Sequence, residues 1–449
     1  MLTHPIDTTR TPSQLVALII THHPNWQACL LHDAHLSPIG ICPTVSWTAT
    51  FTDTLLIDKH TRHAPPKRYV STYTDWQDEL IAYCQAQAQT ATHKGEYMHG
   101  LMGFIGYDLP AHELDASITI KAGQPCAYFG HYDIHIKPCD HGFTLIGINT
   151  DKQIFDKIKS SLTELLNQAL PKRELTQFIS SWQRLDYNHA FNKIQKYIKA
   201  GDAYQINLTQ KWQADLENLV NHLPHLQDTI NAPFAGFLKL GEFEILSVSP
   251  ELFFEFNKTD DGIDIITKPI KGTRPRHDDA STDNELKNEL ANSEKDISEN
   301  LMIVDLLRND LGKYAHIGTV KTPKRFVIES FQNVHHMVST INAQLKDVHS
   351  LAVLFGSLPA GSITGTPKKR ACQIIHELEI SARGAYCGVM GYMNFDGTGN
   401  WNVLIRTLQK WQNTELWAGG GITIQSDMDS EYQECLDKVG NVIHMMHGK

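Results

Sequence analysis

The 449-residue sequence has no apolar run long enough to cross a bilayer; Leu15–Ile20, the longest near its start, is far short of the ~18 residues a span requires. No basic segment with a cleavage site precedes that run, so the expected location is the cytoplasm and no membrane partner is indicated. Positive charge is also scarce. Forty Lys and Arg against fifty Asp and Glu leave a net charge of −10, with no basic block and no basic-aromatic interleave, which excludes nucleic acid as the expected partner. An anionic substrate must therefore be met by local cations, a metal or backbone amides. The eight cysteines never fall in a C-x-x-C spacing, so neither a zinc knuckle nor a disulfide frame is indicated, and most read as small buried hydrophobes. What remains is ordinary globular material: 41% hydrophobic and 20% charged residues, enough for a sizeable core in two or three domains or one large layered unit.

Residues 1 to about 150 are strand-rich, with strands expected at Trp26–Leu31, Tyr128–Ile136 and Phe143–Ile148 between Pro, Gly and Asp turns. Gly100, Gly103 and Gly106 are spaced evenly by three, which suits tight backbone packing and does not match a dinucleotide fingerprint; no helix clearly follows them. Ile154, Ile158, Leu162 and Leu165 predict a helix over Asp151–Gln168, and Pro171 with its charged neighbours reads as a linker. The boundary is placed near residue 180, dividing the chain into 1–180 and 181–449. Beyond it, Phe191, Ile194 and Ile198 mark a helix that Ala200-Gly201-Asp202 stops. Tyr204–Trp212 then alternates as a strand with Gln205, Asn207 and Thr209 on one face. That face is either solvent-facing or lines a cavity, where Gln205 would position a small nucleophile without deprotonating it.

The stretch Ile263–Arg276 organises the chemistry. Ile263, Ile265 and Thr267 alternate as a half-buried strand, Pro269 ends the ladder, and Lys271 is delivered to a turn followed by Gly272 and Thr273. Lys271 is either a solvated lysine beside a turn or, partly withdrawn from water, a nucleophile. Twenty positions earlier, Glu251 interrupts the strand Leu246–Phe256 in apolar surroundings; it is either an edge-turn residue or a carboxyl whose raised pKa suits a general acid, and the two side chains could share a pocket. A long helix is expected over Thr282–Leu311 with Glu299 at the head of its most apolar segment and Arg308-Asn309-Asp310 ending it. His335 and His336 lie in a strand-like run, Asn333–Ile341, as buried satisfied histidines or as polar contacts to a ligand.

Gly361–Lys369, GSITGTPKK, fails as a phosphate loop because Thr366 and Pro367 stand where glycine and lysine are needed, yet its glycines and hydroxyls, Thr364 among them, can form a carboxylate nest. Asn402–Leu408 is expected as a strand with Arg406 among apolar neighbours, a cation in want of a carboxylate. After Leu416–Ala418, Gly419, Gly420 and Gly421 offer unhindered amides. In the helix expected over Asp429–His444, Glu431, Glu434 and Lys438 fall on one stripe. An exposed Glu434–Lys438 pair would contribute only ~0.3–0.5 kcal/mol, whereas two carboxylates and a lysine also suit a hard cation with an anionic substrate.

Taken in order, Ser249-Pro250-Glu251, PIKGT, Glu299–Asp305, GSITGTPK, IRT (Ile405–Thr407), AGGGI and Glu431–Glu434 resemble the chorismate-utilising enzyme family over roughly Tyr187–Val442, with weaker likeness at Cys29–His32 and Gly106–Leu109. The resemblance implies an α+β fold of two packed, mainly antiparallel sheets flanked by helices, with an anthranilate synthase component I-like region (1–180) on a chorismate-binding catalytic domain (181–449). Anthranilate synthase large subunits carry alanine at the Lys271 position, and water-adding relatives carry lysine at the Gln205 position, so the resemblance implies amination of chorismate at C4. Lys271 would attack C2 as the C4 hydroxyl leaves, Glu251 would be the general acid, and ammonia would displace Lys271. Glu299 and Glu434, with Glu431 through water, would hold Mg²⁺. Arg406, Lys438 and the amides of Gly420 and Gly421 would hold substrate carboxylates, with Tyr392 near the enolpyruvyl group, His336 beside the ring, and Gln205, Thr273 and Thr364 also binding substrate. No cysteine stands in a G-x-C-x-G elbow, so ammonia is expected from a separate glutamine amidotransferase subunit in a heterodimer. The rivals are an anthranilate synthase, an isochorismate or salicylate synthase, and a non-catalytic chorismate or amino-acid sensor on the same fold. Asn400-Trp401 and Thr366 depart from the family pattern, and Asp33 replaces a frequent serine at a region where relatives bind tryptophan.

Overall fold

A computed structural model describes residues 1–33, 36–88, 96–331 and 334–447. Two twelve-stranded sheets stack face to face. Period-two alternation builds three apolar layers from them. Cys29 and Leu31 face the inter-sheet layer while Leu30 faces helices; Met102 and Phe104 point into the same inter-sheet layer while Leu101 and Ile105 point outward. The outer face of the first sheet is covered by helices Pro12–His22, Lys152–Leu165, Arg184–Ala200 and Met428–His447, and that of the second by Tyr73–Gln87, Glu294–Gly312 and Ser350–Ser357. The expected α+β sandwich of antiparallel sheets is therefore what forms.

The residues on either side of position 180 share both sheets. Cys29–His32 pairs with Phe234–Leu240, and Gly100–Ile105 pairs with Val389–Asn394 through six consecutive residues, Ile105↔Val389 to Gly100↔Asn394. The close spacing needs glycine: a Cβ on Gly103 would stand 1.9 Å from the Tyr128 carbonyl oxygen.

Several elements differ from the expectations, each for a local reason. Trp26–Leu31 divides into a 3₁₀ turn, Pro24–Trp26, and a strand, Cys29–His32, because Gln27 takes a left-handed φ of 47°. Tyr128–Ile136 is two strands, Pro125–His131 and Ile134–Cys139, bent at Tyr132-Asp133. A seven-residue helix, Asp108–Leu114, does follow the Gly100–Gly106 glycines. The long helix is two, Ala280–Ala291 and Glu294–Gly312; Ser293 caps the second by accepting from the Asp296 amide (3.3 Å), and Gly312 rather than Arg308–Asp310 ends it. The histidine strand runs Val334–Gln344; Asn333, where it was expected to begin, lies outside the described residues.

If the two halves are one folding unit, residues 181–449 expressed alone should not melt cooperatively, because strands Phe234–Leu240 and Val389–Asn394 would each lose a central neighbour and expose an unpaired edge. Circular dichroism melts of the fragment, with and without co-expressed 1–180, test this; a cooperative transition for the fragment alone would overturn it.

Candidate active site

Two segments change sheets side by side. The chain leaves strand Phe243–Ser249 of the first sheet, passes Pro250-Glu251 and enters Leu252–Thr259 of the second. It returns from Gly399–Val403 through Leu404–Arg406 to Thr407–Lys410. The strand expected over Asn402–Leu408 is thus broken, and Arg406 sits at the break in a left-handed conformation, φ 50°. The crossings are stitched together. Ser249 Oγ donates to the Val403 carbonyl (2.6 Å), the Val403 amide to the Glu251 carbonyl (3.1 Å) and the Val248 amide to the Arg406 carbonyl (3.2 Å). Glu251 and Arg406 are held where the sandwich opens.

Lys271 is not at a turn, as its sequence neighbours suggest. It lies in a second strand, Ile270–Pro275, which pairs with the histidine strand but loses register between Ile270 and Thr273. Gly272, at φ 81°, forms the irregularity and presses against Leu290 and Asp296, so any side chain there would be both strained and crowded. The half-buried Lys271 Nζ donates to the Ser362 carbonyl (3.1 Å), and Ser362 Oγ donates to Glu251 Oε1 (2.7 Å). The proposed nucleophile and acid therefore meet on one residue. Burial raises the pKa of Glu251 against the lowering effects of Ser362, Lys271 and Lys438, favouring the protonated form a general acid needs.

Glu299, Glu431 and Glu434 converge from helices Glu294–Gly312 and Met428–His447. Burial foremost, with Glu431 and Glu434 adding to it, drives Glu299 up to about 7 despite Lys271 and Lys295, and its Oε1 is buried without a hydrogen-bond partner. Glu431 accepts from Lys295 Nζ (2.8 Å) and Ser426 Oγ (2.7 Å) on the same oxygen. Lys438 pairs with Glu434 at 2.6 Å, holding that carboxyl below its usual range, and donates to the Gly419 carbonyl at 2.8 Å. The resemblance implies Glu299 and Glu434, with Glu431 through water, as the metal ligands; among the described residues no group of three or more Asp, Glu, His or Cys side chains is drawn together closely enough to hold an ion, and Lys295 and Lys438 pair with Glu431 and Glu434. The orphaned oxygen of Glu299 and the hard carboxylate set nevertheless fit a divalent cation.

The Gln205 side chain is fully buried and neither polar atom has a partner, so its polar face is enclosed rather than solvated. Gly421 lies against it; a Cβ there would meet Gln205 Nε2 at 2.4 Å, and one on Gly420 would meet Glu431 Oε2 at 2.8 Å. These glycines do not follow a strand but lie inside Thr414–Ile422, paired with Asn207 and Leu208. Among the described residues their other edge has no strand neighbour beyond Leu416, where Thr407–Lys410 stops pairing. Arg406 is half-buried and among the described residues has no carboxylate partner. His336 is buried, exchanges a 2.9 Å hydrogen bond with the exposed Thr273, and is pushed down to about 4 by burial and then by Arg406, leaving a neutral imidazole. The Thr364 hydroxyl is turned back onto the Ala360 carbonyl at 3.0 Å. Tyr392 is not brought to this group. Its strand, Val389–Asn394, turns it into the inter-sheet layer against Tyr97 (5.7 Å), beside a small cavity lined by Leu31, His32, Phe234 and Asn402.

Sequence reasoning did not single out Ser362 or Lys295. Ser362 lay within the GSITGTPKK segment, but only a fold could show its hydroxyl on Glu251. Lys295 stands one helical turn before Glu299, an i, i+4 spacing that could have drawn attention.

The chorismate binding enzyme family matches residues 49–444. The aminodeoxychorismate synthase component 1 of Escherichia coli is 43% identical over 370 residues, covering 78% of this chain and 77% of the relative; that of Klebsiella aerogenes is 38% identical, covering 82% and 81%. The anthranilate synthase component 1 of Pseudomonas aeruginosa is 32% identical, covering 76% and 73%. Among solved structures, anthranilate synthase component I from Streptococcus pneumoniae superposes with a TM-score of 0.75 at 24% identity, covering 91% of this chain and 92% of that one.

The Glu299 environment makes a stability prediction. Its folded pKa of about 7 lies above the unfolded value of ~4.3, so the folded state holds the extra proton between those limits; the stabilisation is complete below the unfolded value and is lost as pH rises through about 7. In chelator at pH 8, Glu299→Gln should therefore be more stable than wild type, by on the order of 1–3 kcal/mol, with the difference vanishing near pH 4. Urea unfolding across that range is the measurement, and parallel curves for the two proteins would refute it.

Proposed function

The chain belongs to the chorismate binding enzymes, and from that membership we propose that it is an aminodeoxychorismate synthase component 1, converting chorismate and ammonia to 4-amino-4-deoxychorismate on the route to p-aminobenzoate and folate. The observation that carries the reading is the meeting of Lys271 and Glu251 on Ser362, in the segment whose Gly365 and Thr366 pair with the strand that carries the buried, unpartnered amide of Gln205. An anthranilate synthase is the nearest rival, and its characteristic alanine is absent from position 271.

The chemistry balances with these groups. Neutral Lys271 Nζ bonds to C2 of the ring as electrons shift through the ring and the C4–O bond breaks; the departing oxygen takes the proton of Glu251 and leaves as water. Ammonia then bonds to C4 while the C2–N bond breaks and Lys271 recovers its amine. The extra proton on the new C4 ammonium returns to the Glu251 carboxylate, resetting the acid. Gln205 suits this second step because a carboxamide can hold ammonia by hydrogen bonds and cannot act as the base that water would require.

Arg406, Lys438 and the edge at Gly420 and Gly421 would bind the carboxylates of chorismate, with neutral His336 and Thr273 beside the ring; the hydroxyl, amide and carbonyl of Thr364 are engaged by Ala360, Gly361 and Asn207, so it would shape the substrate pocket rather than bind a carboxylate directly. Tyr392 has no role in this pocket. Glu299 and Glu434, with Glu431 through water, would hold Mg²⁺, which when bound offsets the charge of the ring carboxylate. Ammonia would come from a separate glutamine amidotransferase subunit, the two chains forming a heterodimer in the cytoplasm. No helix among the described residues is long and apolar enough to cross a membrane.

Purified protein given chorismate, Mg²⁺ and ammonium at alkaline pH should form 4-amino-4-deoxychorismate by mass, and should use glutamine only when an amidotransferase subunit is added. Glu251→Gln should lower kcat by about 10²–10⁴-fold, whereas Lys271→Ala should retain part of the ammonium-dependent rate through direct attack. Fluorescent anthranilate as the product would replace this reading with its rival.

A further inference from the structure

Ser362 touches both reacting side chains with different atoms, and nothing in the chemistry above uses it. It is buried in the 3₁₀ turn Gly361–Ile363. Its single hydroxyl proton goes to Glu251 Oε1 and its carbonyl takes one proton of Lys271. The turn has almost no freedom. Gly361 is packed against Leu306 so tightly that a Cβ would stand 2.5 Å away. On the other side, Arg383, 1% exposed, donates to the Ile363 carbonyl (3.0 Å) and to the Asn207 carbonyl on the Gln205 strand (2.8 Å), while Glu379 accepts from two of its nitrogens at 2.7 and 2.9 Å.

Resting on the reading under Proposed function, we propose that Ser362 is a positioning residue that confines the transferable proton of Glu251 to Oε2 and fixes the direction of the Lys271 amine. While Ser362 donates to Oε1, that oxygen is occupied as an acceptor, so the proton resides on the other one. The carbonyl of the same residue fixes one N–H of Lys271, which stops free rotation about the Cε–Nζ bond and aims the remaining lone pair. One rigid turn thereby sets the separation of acid and nucleophile. Disorder in either group would cost the proportion of time both are correctly aimed.

Ser362→Ala should lower kcat for the ammonium-dependent reaction by about 10–100-fold, the size expected for losing one hydrogen bond to a carboxyl that becomes charged as it gives up its proton, with KM for chorismate within about twofold of wild type. Because that bond favours the ionised carboxyl, its loss should also move the alkaline limb of the kcat–pH profile to higher pH. Ser362→Thr, which keeps the hydroxyl, should restore most of kcat, and Ser362→Cys, a weak donor of similar size, should fall between Ala and Ser even if the Ala protein folds poorly. Unchanged kcat in Ser362→Ala, an unmoved alkaline limb, or a Thr or Cys protein no better than Ala would overturn the proposal. Failure of the wild-type protein to aminate chorismate would instead overturn the reading it rests on.

Discussion

Two strand crossings, stitched to each other by a serine hydroxyl and by backbone hydrogen bonds, are the constraint on which the candidate site depends. A β-sandwich ordinarily closes its ends with loops. Here Ser249–Leu252 and Val403–Thr407 pass between the sheets in opposite directions at the same place, and the bonds from Ser249 to Val403 and from Val403 to Glu251 lock one to the other. A carboxyl at such a crossing is buried by both sheets, yet it is not absorbed into either ladder. That combination gives Glu251 both its raised pKa and its availability. Arg406 stands at the return crossing in a left-handed conformation, outside both ladders, and has no carboxylate partner among the described residues, which suits the carboxylate-binding role proposed for it.

Charge around the cavity is balanced internally. Glu299, Glu431 and Glu434 would repel one another strongly at low dielectric, and Lys295 and Lys438 relieve this by direct pairing. Glu299 is left as the carboxyl without a close partner, its nearest ammonium being that of Lys295 at 3.9 Å, and it relieves its burial by taking up a proton near neutrality. A divalent cation would change all of these equilibria together, because it offers Glu299 the charge that the lysines withhold. Metal affinity in such a site is therefore tied to how readily two ammonium groups give up their carboxylates.

Much of this was legible in the residues. Alternation and helical spacing located the strand into Pro269, the helix after Asp151 and the stripe of Glu431, Glu434 and Lys438, because each is a property of neighbours in sequence. The failures share a cause. Lys271 in a bulged second strand, Arg406 at a sheet crossing and the break before Ser293 all depend on which distant segment a residue meets, and local pattern carries no such information. Tyr392 shows this most clearly. The face it presents is decided by the register of Val389–Asn394 against Gly100–Ile105, and that register sends it into the inter-sheet layer. Ser362 was hidden for the complementary reason: a serine among glycines and threonines has nothing to distinguish it until Glu251 arrives from 111 residues away.

The enclosure of Gln205 bears on selectivity. A buried primary amide with neither polar atom paired is costly, on the order of 1–3 kcal/mol per unsatisfied group, and the strand could have accommodated an apolar side chain against Gly421 without that cost. A small guest that can both donate and accept would remove the penalty. Water and ammonia both qualify as guests, but they differ in what must follow. Ammonia attacks with its lone pair and loses its proton afterwards, to a carboxylate that Glu251 has by then become; water would need a base beforehand, and an amide is not one. On the reading proposed above, nucleophile choice would rest on the lack of a basic side chain at position 205 as much as on any group that holds ammonia.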